Sequence, residues 1–125
     1  MIKMTNKTKR IKQKTLLPSL KEKKRYLVYE TLSSGQVKGD ETKEVITNSF
    51  KELFGLEGLA MAGLNFVEFK DNKGIIRVNN KSLDMLRASF CFIGKINKEE
   101  AIVRSVGVSG MLKKARIKFM SGGRF

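Results

Sequence analysis

Residues 65–93 read NFVEFKDNKGIIRVNNKSLDMLRASFCFI, and this stretch decides the fold. Residues 65–70 and 75–79 are rich in β-branched and aromatic side chains, which predicts two strands. The loop Asp71-Asn72-Lys73-Gly74 between them suits a compact hairpin, and we expect Gly74 to adopt a positive φ there. The two strands should therefore pair as antiparallel neighbours in one sheet.

A helix is predicted directly after this hairpin, over residues 82–93. Its apolar side chains recur at helical spacing and form one face: Leu83, Met85, Leu86, Phe90, Phe92 and Ile93. Asn80 or Ser82 is a suitable N-cap, and Gly94 is a suitable residue to end the helix. The pattern therefore predicts a helix that packs one face against the sheet.

The segments on both sides of this unit continue the alternation of strands and helices. Upstream, residues 26–32 have strand character, and an amphipathic helix begins at Gly39 and Asp40 and ends at Gly55. Residues 56–64 are small and apolar and predict a short second helix. Downstream, residues 101–108 form the last strand, and a basic helix follows Gly110.

The order βαββαβ plus a C-terminal helix predicts an α+β fold of the ferredoxin-like, split βαβ type. Two helices would cover one face of a four-stranded antiparallel sheet. The chain length of 125 residues suits one domain, which we place at residues 16–125. Residues 1–15 are polar and Lys-rich, and we expect them to form a flexible basic arm.

The predicted sheet is apolar on both faces, because both parities of residues 26–32 and 66–69 carry apolar side chains. Such a sheet needs cover on its second face. Two interpretations remain open. Either a protein partner or a second copy of the chain packs there, or the C-terminal helix folds across it.

Charge is concentrated at the two ends of the chain, whose net charge is +14. Residues 1–25 carry +9, residues 26–103 carry −1 and residues 104–125 carry +6. This asymmetry indicates a polyanionic partner, either nucleic acid or an anionic membrane. The basic tail, residues 110–125, could lie on a membrane surface, but its apolar side chains can equally dock on the domain itself.

Few catalytic arrangements are compatible with this composition. The chain has no His, which removes the commonest general base and metal ligand, and it has a single Cys, Cys91. Cys91 falls on the apolar helix, so we expect it to be buried. No phosphate-binding glycine motif is present. We therefore predict a chain that is not itself a catalyst and binds no cofactor.

Three basic groups are the candidate nucleic-acid ligands. The first lies in the N-terminal arm: Lys9, Arg10, Lys12 and Lys14. The second leads into the first strand: Lys21, Lys23, Lys24 and Arg25. The third surrounds the start of the C-terminal helix: Ser109, Gly110, Lys113, Lys114, Arg116 and Lys118. Arg77, in the third strand, joins these candidates.

The turn at Ser109 and Gly110 has two interpretations. Free N–H groups at the start of a basic helix could bind a phosphate, or Ser109 could be an ordinary helix N-cap. Base stacking of the RNA-recognition-motif kind is disfavoured, because residues 75–78 carry no aromatic side chain. RNA would then be held mainly through its backbone.

Four stretches together resemble a known family, in order and spacing. They are residues 17–27 (LPSLKEKKRYL), residues 53–55 (LFG), residues 74–78 (GIIRV) with 86–88 (LRA), and residues 107–110 (GVSG) with 113–116 (KKAR). These stretches resemble archaeal ribonuclease P protein component 2, which is related to the small subunit shared by eukaryotic ribonucleases P and MRP. The resemblance covers about residues 16–120.

The resemblance implies a cytoplasmic subunit of the ribonucleoprotein that removes 5′ leaders from precursor tRNA. The RNA subunit would be the catalyst and would use magnesium. The implied partners are ribonuclease P RNA, ribonuclease P protein component 3 and a second copy of the chain in a two-plus-two assembly, with precursor tRNA contacted indirectly and no membrane. Two alternatives remain: a stand-alone RNA- or ribosome-binding protein, and a ligand-sensing or structural ferredoxin-like module.

Overall fold

The computed structural model describes residues 23–120, so the predicted arm at residues 1–15 lies outside the described part. The strands are β1 (Lys24–Ser33), β2 (Asn65–Lys70), β3 (Lys73–Asn79), β4 (Lys95–Ile96) and β5 (Glu99–Ser109). The helices are α1 (Gly39–Ala62), α2 (Leu83–Phe90) and α3 (Leu112–Ala115). A 3₁₀ turn (Asn80–Ser82) precedes α2, and α3 continues into a wider π-helical turn (Arg116–Met120).

The strands form one antiparallel sheet in the order β2-β3-β1-β5-β4. The fold is α+β, as predicted, but the described sheet has five strands and not four. The additional strand, β4, pairs with the start of β5 through a turn in which Asn97 and Lys98 have φ values of 55° and 71°. A strand of two residues is too short to show the alternation from which strands are predicted.

The hairpin between β2 and β3 is tighter than predicted. Asp71 and Asn72 have φ values of 52° and 64°, so they form the turn, and Gly74 already belongs to β3. The prediction of a positive φ at Gly74 is therefore wrong. A side chain is excluded there for another reason: a Cβ on Gly74 would collide with the ring of Tyr29.

Helix α1 breaks at Gly55, whose φ of 78° and ψ of 174° are not helical. This confirms the predicted helix end at Gly55 and the second helical segment beyond it. Gly63 ends the second segment in the left-handed conformation, with φ 59° and ψ 47°.

Helix α2 is shorter than predicted. It ends at Phe90, and Cys91 and Phe92 follow in a turn. The expectation that both pack inward is wrong, because Cys91 is exposed and Phe92 is 70% exposed. The helix ends before these residues, so they leave its buried face. Ser82 occupies the N-cap position, but no hydrogen bond from its side chain caps the helix.

The larger core lies between the sheet and the helices α1 and α2. Leu27 of β1 and Ile76 of β3 pack there with Phe50 of α1 and Leu86 of α2. All four side chains are fully buried. The alternate residues of the same strands, Val28 and Ile75, point to the opposite face.

Helix α3 and the turn after it cover that opposite face. Ala115 is buried with Val28 and Ile75, and Leu112 and Phe119 pack against this second cluster. Of the two interpretations left open by the sequence, the one in which the C-terminal helix folds across the sheet is therefore correct. Sheet and helices form three layers, with both apolar faces covered in part by the chain itself.

Candidate nucleic-acid interface

Two of the predicted basic groups meet at one end of the sheet. In an antiparallel arrangement, β1 begins where β3 and β5 end. Tyr26 of β1 pairs with Arg77 of β3 on one side and with Ser109 of β5 on the other. We call this region the basic end: Lys23, Lys24, Arg25, Arg77, Lys113 and Lys114. The sequence separates these residues by up to 91 positions, from Lys23 to Lys114.

Contacts at the basic end hold its parts in place. The Nη1 of Arg25 lies 3.7 Å from the position that a Cβ on Gly110 would take, so β1 and the β5–α3 turn are adjacent. The Nζ of Lys24 lies 3.5 Å from the equivalent position on Gly63, at the end of α1. The N–H of Asn80 donates to the carbonyl of Lys23 over 2.7 Å. The backbone of Lys23, Lys24 and Arg25 is therefore held against β3 and β5.

The cations of the basic end have no carboxylate partner in residues 23–120. Ion pairs in this part of the chain engage Arg87, Arg104 and Arg116. The lysines of the basic end are also exposed. Their charge is therefore available to an external anion.

Two other residues predicted to bind RNA contact side chains of this chain. The Nε of Arg116 donates to Oε1 of Glu68 over 2.8 Å, which links α3 to β2. The ammonium of Lys118 lies 6.0 Å from the ring centroid of Phe119. Lys9, Arg10, Lys12, Lys14 and Lys21 lie outside the described residues.

The turn that starts α3 is closed by Ser109. The backbone N–H of Met111 donates to the Ser109 Oγ over 3.1 Å, and the Ser109 hydroxyl donates to the Met111 carbonyl over 3.0 Å. The N-cap residue of α3 is Met111, so the interpretation of Ser109 as an N-cap is wrong. The Ser109 hydroxyl therefore stabilises the turn after which the chain runs back over the sheet.

Two residues that hold the C-terminal tail are not predicted from the sequence. Glu68 binds Arg116, and the ammonium of Lys73 donates to the carbonyl of Phe119 over 3.3 Å. Each pair is more than forty residues apart in sequence. No local pattern signals such a contact, because it depends on how the tail crosses the sheet.

Tyr29 carries a buried hydroxyl group in the described part of the chain. Burial raises the pKa of Tyr29 well above its ordinary value, but this ring lies within the core. Residues 23–120 hold no cluster of acidic or Cys side chains that could bind a metal ion. No helix in that part of the chain is long and apolar enough to cross a membrane.

The described residues form an α+β fold, in which helices cover an antiparallel sheet and the basic end carries cations with no carboxylate partner among residues 23–120. The chain belongs to the Rpp14/Pop5 family, which matches residues 25–120. It is 35% identical to ribonuclease P protein component 2 of Pyrococcus horikoshii over 112 residues, covering 88% of this chain and 93% of the relative. The same component from Methanocaldococcus jannaschii is 33% identical over 107 residues, covering 86% and 80%.

A solved structure has a similar fold. A chain in the cryo-EM structure of yeast ribonuclease MRP aligns with a TM-score of 0.60, covering 76% of this chain and 84% of that chain. The two are 15% identical, so this likeness concerns the fold alone. The resemblance found in the sequence is confirmed by the family match.

Proposed function

We propose that this chain is an RNA-binding protein subunit of ribonuclease P and supports the catalytic RNA in removing 5′ leaders from precursor tRNA. The family and the relatives named ribonuclease P protein component 2 support this role. The structural observation that carries it is the basic end, where two sequence-distant groups of unpaired cations lie side by side. The chain contributes charge and shape, and the RNA contributes the chemistry.

The proposed mechanism is electrostatic. RNA helices repel one another where their phosphates are crowded, and the cations of the basic end neutralise part of that charge. The RNA can then pack and bind its magnesium at a lower concentration of the ion. If about six phosphates are contacted, RNA affinity should fall on the order of 10³-fold between 50 and 200 mM salt.

The proposed protein partners are component 3 of ribonuclease P and a second copy of this chain in a two-plus-two assembly. Exposed apolar side chains support protein contacts. Leu56 and Met61, on the second segment of α1, are 69% and 63% exposed. Leu32 and Ile102 form an exposed pair across β1 and β5. We place the assembled complex in the cytoplasm, away from membranes.

We also propose that the fold is ferredoxin-like at its centre. The strand order β2-β3-β1-β5, with α1 after β1 and α2 after β3, supports the split βαβ arrangement. Strand β4 and helix α3 are then additions to one edge and one face of that unit.

The test is reconstitution at low magnesium. The full chain, the cognate RNA and component 3 are mixed, and precursor tRNA cleavage is compared with and without this chain. We expect stimulation, which a Lys113→Ala/Lys114→Ala variant reduces and a Lys70→Ala/Lys95→Ala variant retains. The control lysines are also exposed but lie away from the basic end.

The same experiment distinguishes the ribonuclease P role from that of a stand-alone RNA- or ribosome-binding protein. Tight RNA binding that does not need component 3, with no stimulation of cleavage, would indicate an independent RNA- or ribosome-binding protein. Retention of full stimulation by the Lys113→Ala/Lys114→Ala variant would contradict the role of the basic end.

A further inference from the structure

Glu68 is an acidic residue on the same face of the sheet as α3. It lies on β2 and pairs with Ile75 of β3, whose side chain packs in the second cluster, beneath α3. Residues directly opposite each other on neighbouring strands project to the same face, so Glu68 shares this face with Ile75. Its side chain is 31% exposed. By its charge alone, Glu68 would repel RNA and lower the affinity of the protein for it.

The carboxylate of Glu68 holds the end of α3. The Nε of Arg116 donates to Oε1 of Glu68 over 2.8 Å, and the two groups form an ion pair. Lys113 and Lys114, on α3 itself, are exposed and have no carboxylate partner in the described part of the chain. The guanidinium therefore binds the protein, whereas the two ammonium groups are available to an external anion.

The bond to Glu68 also determines how α3 is oriented. A helix of four residues is not stable alone, so its orientation depends on its contacts with the sheet. Ala115 is fully buried against the sheet, but apolar contacts have no preferred direction. A charge-assisted hydrogen bond has one. Residues three apart lie on the same side of a helix, so the bond that fixes Arg116 also fixes the side that carries Lys113.

We propose that Glu68 is a positioning residue for RNA binding, a role that rests on the proposed function and adds a residue to it. The carboxylate holds Arg116, and Arg116 holds α3 in the orientation that presents Lys113 and Lys114 at the basic end. Arg116 is then a contact within the protein and not a phosphate ligand. Glu68 raises the affinity for RNA through this contact, although its own charge lowers it.

Reversing the charge of Glu68 separates positioning from charge, because the two effects have opposite signs. Glu68→Arg makes the face more positive, which alone would strengthen RNA binding, but it also sets a second guanidinium against Arg116 and displaces α3. We expect the affinity for the ribonuclease P RNA to fall about threefold to tenfold, because the contacts of two lysines with phosphates are weakened.

Glu100→Arg is the matched control for the change of charge. Glu100 is exposed, has no ion pair among residues 23–120 and lies at the end of β5 opposite to Ser109 and the basic end. This substitution should leave the RNA affinity unchanged or raise it. A fall equal to that of Glu68→Arg would overturn the proposal, because the loss would then not depend on the contact with Arg116.

The charge-swapped variant Glu68→Arg/Arg116→Glu restores the ion pair at the native net charge. Its RNA affinity should return to within about twofold of the native value, although each single reversal weakens binding. Tighter binding by Glu68→Arg than by the native chain, or no recovery in the charge-swapped variant, would overturn the proposal.

A second measurement tests whether Glu68 acts through the lysines of α3. Glu68→Ala removes the acceptor of Arg116, so it should weaken RNA binding and lower the slope of log affinity against log salt. In the Lys113→Ala/Lys114→Ala background the same substitution should no longer weaken binding, because the lysines that it positions are absent. A slope that rises in Glu68→Ala would show that the released Arg116 binds a phosphate, and would overturn the proposal.

Thermal unfolding checks that the variants fold. Exposed ion pairs contribute little to stability, so Glu68→Ala should change the Tm by less than about 5 °C. Glu68→Ala also serves in place of Glu68→Arg if that variant does not fold. It removes a negative charge, so charge alone would again strengthen RNA binding and positioning would again weaken it.

The two proposals fail in different ways. Weaker RNA binding by Glu68→Arg, recovered in the charge-swapped variant but without stimulated cleavage by the native chain, would contradict the ribonuclease P role and retain the positioning role. Stimulated cleavage by the native chain with tighter RNA binding by Glu68→Arg would retain the ribonuclease P role and overturn the positioning role.

Discussion

At the scale of single residues, Tyr29 connects the sheet with α2. Its ring centroid lies 6.3 Å from that of Phe69 on β2 and 6.0 Å from that of Phe90 on α2. The ring also occupies the space beside Gly74, where any larger residue would have its Cβ. One aromatic side chain thus fixes the distance between the hairpin and the helix that follows it.

Tyr29 should make the protein less stable in alkali. Burial raises the pKa of its phenol, so the folded state keeps the proton while the unfolded state releases it near pH 10. Stability is therefore unaffected below that pH and falls above it, by on the order of 1 kcal/mol between pH 9 and pH 11. Urea unfolding at both pH values measures this decrease. Tyr29→Phe should lack this part of the decrease, whereas Tyr26→Phe, which leaves Tyr29 in place, should retain it.

Gly74→Ala should destabilise the fold, although Gly74 lies outside the turn between β2 and β3. The new Cβ would collide with Tyr29, and overpacking of this kind costs about 1–3 kcal/mol. Gly94→Ala is the matched control, since no atom lies within 4 Å of its Cβ position, and it should change stability by less than about 0.5 kcal/mol. Equal stability of the two variants in urea would contradict the assigned contact.

At the scale of elements, α3 is a tail that depends on the sheet beneath it. The helix has only four residues before its π-helical turn, and so short a segment is not stable alone. It is held by Phe119, which packs beside Gly107, and by the polar contacts of Arg116 and Lys73. The positions of Lys113 and Lys114 on α3 therefore depend on these contacts.

Gly107→Ala should weaken the docking of the tail, because its Cβ would collide with the Phe119 ring. Gly107→Ala and Phe119→Ala should each cost about 1–3 kcal/mol. In the Phe119→Ala background the alanine at position 107 has room, so the two effects should not add. A double-mutant cycle in urea measures this coupling, and additive values would show that Phe119 does not pack there.

Some of these elements could be predicted and others could not. The helical period of residues 82–93 and Gly55 report local structure: a helix forms at the first, although it ends at Phe90, and α1 breaks at the second as predicted. Strand β4 was missed because two residues carry no period, and the exposure of Cys91 was missed because it depends on where α2 ends. The basic groups could be found by composition, but their meeting at Tyr26 depends on strand register across three strands.

At the scale of the whole molecule, the described charges divide into paired and unpaired sets. Carboxylates form ion pairs with three arginines on the surface of the fold: Arg87, Arg104 and Arg116. The unpaired cations of the basic end meet where β1 begins and β5 ends. Lys70 and Lys95 also lack a carboxylate partner among residues 23–120, so it is the clustering of cations at the basic end that predicts that a polyanion is held through one end of the sheet.

The salt dependence of RNA binding should report this division. Each lysine that contacts a phosphate releases counterions, so its loss should lower the slope of log affinity against log salt by about 1. Lys113→Ala/Lys114→Ala should therefore lower the slope by about 2, whereas Lys70→Ala/Lys95→Ala removes the same charge and should leave it unchanged. Filter binding to the ribonuclease P RNA at several salt concentrations gives both slopes. If this slope decreases equally in the two double variants, the RNA is held by the net charge of the protein and not by the basic end.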